Sequence, residues 1–126
     1  MLGREENLSY EISEIKKRNN YGLIEMSEHA LERMQEREIK QDLILNCISK
    51  RNTTIIQHHM PNTYHCNRDE LFVLYGKVIL NDKHQPLHIV IAKVFNGDGI
   101  GFVYRVVTCY VPSKSLFYAH GRKLRR

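Results

Sequence analysis

Leu8, Ile12 and Ile15 recur at spacings of four and three, which stacks them along one side of a helix, and the run ends at Asn19-Asn20 with Gly22 just beyond. The pattern predicts an amphipathic N-terminal helix and its stop. A second helical pattern opens at Ser27, a favourable N-cap, and sets Ala30, Leu31 and Met34 opposite a stripe of His29, Arg33 and Arg37. A third covers Gln41 to Ser49 with Leu43, Ile44, Cys47 and Ile48. After that the period changes from helical to alternating. Residues 53–59, 70–80, 87–95 and 102–111 are rich in β-branched and aromatic side chains, and Pro61-Asn62, Asn81-Asp82 and Asn96-Gly97-Asp98-Gly99 separate them. The third and fourth runs are apolar on both alternations, which predicts central strands covered by helices on at least one face. The expected fold is α+β, with N-terminal helices packed on a roughly four-stranded antiparallel sheet.

At 126 residues the chain is expected to form a single domain, large enough to bury a core without disulfides or metal. No apolar run approaches the roughly 20 residues of a membrane helix, and Met1-Leu2-Gly3-Arg4-Glu5-Glu6 lacks the apolar core of a signal peptide, so a cytoplasmic location and no membrane partner are expected. Cys47, Cys66 and Cys109 are odd in number and lack CxxC spacing, which reads as reduced thiols. The net charge is +5, but Arg122, Lys123, Arg125 and Arg126 hold four of the 19 cations, leaving 15 against 14 acids elsewhere. A basic tail at 121–126 on a nearly neutral body suggests an arm that gathers RNA by counterion release, or merely a solubilising terminus.

The stripe is the most informative feature. Side chains four apart on a helix are stacked neighbours, so one imidazole stands above two permanent cations. Arg33 beside Arg37 is mildly repulsive and calls for acids or an external anion such as phosphate. Ser27 places His29 in the first turn, where the helix dipole favours the neutral imidazole. A base beside fixed cations suits metal-free phosphodiester chemistry. The plainer account uses Glu28, Glu32 and Glu36, a parallel acidic stripe, with Arg33 paired to Glu36 on a solvated face.

Three polar side chains interrupt the last two apolar runs. His88 stands opposite Leu87 and Ile89, while Thr108 and Tyr110 share a face. His58, His59, His65 and Cys66 have ligand chemistry suited to zinc. Their spacing does not suit it, because neighbours in a strand point to opposite faces, so no metal or other cofactor is expected.

The string SEHALERMQER, followed by a short helix, then PLHIVIA and VVTCYVP, resembles a family of small bacterial proteins assigned to the barnase, EndoU, colicin and RelE superfamily of RNase toxins. The likeness spans residues 25–112 with three motifs in order. It departs at Glu38, where the family commonly has Gly, a difference that bears on where that helix ends. The resemblance implies a metal-independent endoribonuclease of a toxin-antitoxin system, cleaving RNA, including ribosome-bound mRNA, by attack of the ribose 2′-OH. His29 would be general base or acid, Arg33 and Arg37 would stabilise the phosphate, and Thr108 or Tyr110 would complete the site. It also implies an antitoxin partner, often of zinc-finger type. The alternative from the residues alone is a binding module of the same fold that breaks no bond.

Overall fold

The computed structural model of the chain describes residues 4–61, 69–97, 99–112, 117–118 and 123–124. Three helices come first: α1 (Arg4–Asn20), α2 (Glu28–Glu36) and α3 (Gln41–Ser49), with a short strand β1 (Glu25–Met26) between the first two. Then follow β2 (Thr54–His59), β3 (Glu70–Leu80), β4 (Lys83–Phe95) and β5 (Phe102–Tyr110), and a separate pair, β6 (Phe117–Tyr118) and β7 (Lys123–Leu124). The fold is α+β. Its main sheet has the order β1-β5-β4-β3-β2, antiparallel throughout except that β1 runs parallel to β5.

The main sheet thus has five strands and is mixed, where four antiparallel strands were expected. The additional strand, β1, pairs Glu25 with Arg105 and Met26 with Val106, and the Ser27 N–H continues the ladder to the Val106 carbonyl at 2.9 Å. Two residues carry no periodicity, so only the docking of β5 makes them a strand. The hairpin between β3 and β4 is also tighter than the apolar run implied, because β4 begins at Lys83 rather than residue 87. Asn81 and Asp82 both adopt positive φ, 55° and 62°, the geometry of a two-residue turn that matches strand twist. Pro86 is tolerated in β4 because the pairing with β5 starts only at His88, so the missing N–H falls where no ladder bond is required.

All three helices lie on one face of the sheet. Ile15, Ala30, Met34, Ile44 and Ile48 pack there against Phe72, Leu74, Ile89, Ile91 and Val106, all buried. The close approach of α3 needs Gly76: a Cβ there would collide with Cys47 Sγ and come within 2.8 Å of Thr53 Oγ1. α1 is fastened by polar groups as well as by Ile15. Glu11 accepts from the Tyr104 hydroxyl and pairs with Lys93 at 2.9 Å, while Arg18 donates to the Phe102 carbonyl at 2.7 Å and lies 4.0 Å above that residue's ring. Burial and the Glu11 carboxylate push the Tyr104 phenol far above its ordinary range, so it stays a donor.

Candidate functional site

Helix α2 is capped at both ends by local chemistry. At its start Ser27 is extended (φ −74°, ψ 159°) and its hydroxyl accepts from the Ala30 N–H at 3.0 Å. At its end Glu38 takes the left-handed conformation, φ 56°; the Ile39 N–H bonds back to the Met34 carbonyl at 2.9 Å and that of Glu38 to Gln35 at 3.3 Å. This is the glycine-type helix termination with a glutamate in the glycine position, closed by buried Met34 and Ile39. The helix therefore ends as a glycine would end it, at a steric cost.

His29 is exposed in the first turn. Arg33, one turn on, is ion-paired with Glu36 at 2.6 Å on the solvent side, the pairing that the plainer reading of the stripe anticipated. Arg37 does something else: its Nη1 donates to the backbone carbonyl of Cys109, so the guanidinium ties the end of α2 to β5. The same cation works against burial at the Cys109 thiol, which burial raises above its usual range.

Thr108 and Tyr110 lie on the other face of β5. Cys109 joins the helix-covered core, and alternation turns its neighbours away from it. There Tyr110, His88 and Tyr75 form a row across three strands, in register and edge to face, with ring centroids 5.3 Å and 6.2 Å apart. The Tyr110 hydroxyl is 3.5 Å from His88 Nδ1, and burial raises the Tyr110 phenol, so it remains protonated at neutral pH. His88 is fully buried. The five sequence candidates therefore fall into two groups: His29 and Arg33 on the solvent side of α2, and Thr108 and Tyr110 behind the sheet, with Arg37 as a strut.

His58 pairs with Glu70 at 2.5 Å and stacks on Phe72 at 4.8 Å, and His59 bonds Gln57 at 3.0 Å. Among the described residues no group of three or more potential ligands could hold a metal. His65 and Cys66 lie outside the described residues, as do Asp98, Arg122, Arg125 and Arg126; Lys123 falls in β7. No described helix is long and apolar enough to cross a membrane.

Away from these residues the surface holds a concavity that has no signature in the sequence. A pocket of about 440 Å³ lies where the loop after α3 meets β3 and the start of β4, and Lys50, Arg51, Lys77 and His84 line it. Its residues are scattered over 35 positions, so no local signal marks them.

A family model described as a domain of unknown function (DUF4258) matches residues 26–111. Searches of curated proteins and of solved structures find no match.

Proposed function

We propose that this chain, which belongs to the DUF4258 family, is a metal-independent endoribonuclease acting in the cytoplasm as the toxin of a toxin-antitoxin pair. The observation that carries the reading is the placement of His29 and Arg33 on the open side of a helix held at both ends by β5. In the proposed step His29 takes the proton of a ribose 2′-OH, whose oxygen attacks the adjacent phosphorus. Arg33 exchanges the Glu36 carboxylate for a phosphate oxygen and offsets the charge that grows there. The bond to the 5′-oxygen breaks, that oxygen takes a proton from solvent, and a 2′,3′-cyclic phosphate remains. Arg37 is a positioning residue. Thr108 and Tyr110 face away from α2, so the step is assigned without them. An antitoxin, of zinc-finger type by the resemblance, would cover the same face.

The Arg33–Glu36 pair favours a second reading, a module that binds RNA or protein without cleaving it. Growth arrest on expression in bacteria, relieved by His29→Ala or by Arg33→Ala with the thermal melt within a few degrees of wild type, supports the nuclease. So do 2′,3′-cyclic phosphate ends formed in EDTA. Equal toxicity of both variants removes these residues from the mechanism, and RNA binding without cleavage establishes the module instead.

A further inference from the structure

We infer that the pocket between the α3–β2 loop and β3 is a second phosphate-binding site, which takes backbone phosphates of a single-stranded RNA away from His29. The identity of the strand rests on the RNA-directed function proposed above; the pocket's preference for phosphate rests on its own geometry.

The sheet leaves this site open. Strand β2 reaches along β3 only as far as the pairing of Thr54 with Tyr75, so among the described residues no other strand covers the edge of β3 from Lys77 onward. The loop carrying Lys50, Arg51 and Asn52 closes around that edge, and Tyr75 contributes to the wall between them. On the other side His84 stands opposite Ile79, on the same sheet face as Lys77.

The loop is braced. Lys50 Nζ donates to the Lys77 carbonyl at 2.8 Å, and Lys16 Nζ donates to the Lys50 carbonyl at 2.8 Å. The Lys50 ammonium is thus fixed at the rim with donors to spare, whereas the side chains of Arg51, Lys77 and His84 make no ion pair or hydrogen bond with the other described residues. Three permanent cations and one imidazole share a concavity in which no acid is among the described lining residues. An anion entering the pocket would relieve the repulsion among them. A phosphate fits the chemistry, since the Arg51 fork can grip two oxygens while Asn52 supplies a neutral donor. The volume of about 440 Å³ lies within the range of small-ligand sites.

The test uses the full chain and a 12-nucleotide oligoadenylate, 2′-O-methylated so that it cannot be cleaved, with binding read by fluorescence anisotropy over a salt series. Arg51→Ala combined with Lys77→Ala should weaken binding about tenfold at low salt and make the log-log salt slope shallower by roughly 1.4, the value for two phosphate contacts on a single strand. Unchanged affinity and slope would overturn the site. In a second arm AMP competes with the strand. Displacement from wild type at micromolar AMP would show that a free nucleotide is the ligand and overturn the strand assignment, whereas millimolar requirements uphold it. The two readings fail separately. A wild type that binds RNA through Arg51 and Lys77 but never cleaves it removes the nuclease and keeps the pocket; cleavage lost in His29→Ala, with binding indifferent to Arg51 and Lys77, does the reverse.

Discussion

Arg37 and Cys109 are 72 positions apart in sequence, yet the guanidinium of the first donates to the backbone carbonyl of the second. Together with the Ser27 N–H on Val106 this fixes α2 to β5 at both ends. The two arginines of the stripe therefore have different jobs. Arg37→Ala should cost about 1 kcal/mol or more, in the range of charge-assisted bonds discounted for partial exposure, whereas Arg33→Ala should stay within ~0.5 kcal/mol because its ion pair is on the surface. Urea titration of both variants checks this. Equal stabilities would deny Arg37 its structural role.

The left-handed Glu38 gives a prediction of opposite sign. Glu38→Gly should stabilise the protein by about 0.5–1 kcal/mol, since glycine occupies positive φ without Cβ strain and this gain exceeds its extra chain entropy. A higher urea midpoint at unchanged slope is the expected result.

Close packing at Gly76 is the third target. Gly76→Ala should cost about 1–3 kcal/mol by overpacking, and adding Cys47→Ala should recover part of it, because Sγ is the nearer obstacle and Thr53 Oγ1 remains. Strictly additive losses in the double variant would place the strain elsewhere.

Tyr104 makes stability sensitive to alkali. Its folded-state pKa is raised above the unfolded value, mainly by burial and then by Glu11. The stabilisation is therefore complete below about pH 10, the ordinary tyrosine value, and is lost as pH rises beyond it. A single such group contributes a slope of about 1.4 kcal/mol per pH unit in that window. Tyr104→Phe should flatten the decline of the urea midpoint between pH 10 and 11 while lowering stability at pH 7.

Helix α3 was legible in the sequence to both ends because Ile44, Cys47 and Ile48 are buried where their spacing puts them. The N-cap at Ser27 was legible for the same reason: the signal and its cause lie within three residues. β1 was not, since its strand character is conferred by Arg105 and Val106, 80 positions away. The division of the candidate residues was equally hidden. Alternation shows that Thr108 and Tyr110 share a face, but only the packing of Cys109 into the core tells which face it is. The Glu36 pairing of Arg33 was readable from i,i+3 spacing, while the reach of Arg37 across to β5 has no sequence signature.

The family match begins at residue 26, whereas the buried core begins earlier. Ile15 is wholly buried, and Glu11 is the shared partner of Lys93 on β4 and Tyr104 on β5. A chain cut to the matched segment would leave that ammonium and that phenol without the Glu11 carboxylate, so the boundary of the family match and the boundary of the packed core do not coincide here. Helix α1 thus lies outside the matched segment and yet supplies part of the core on which that segment packs.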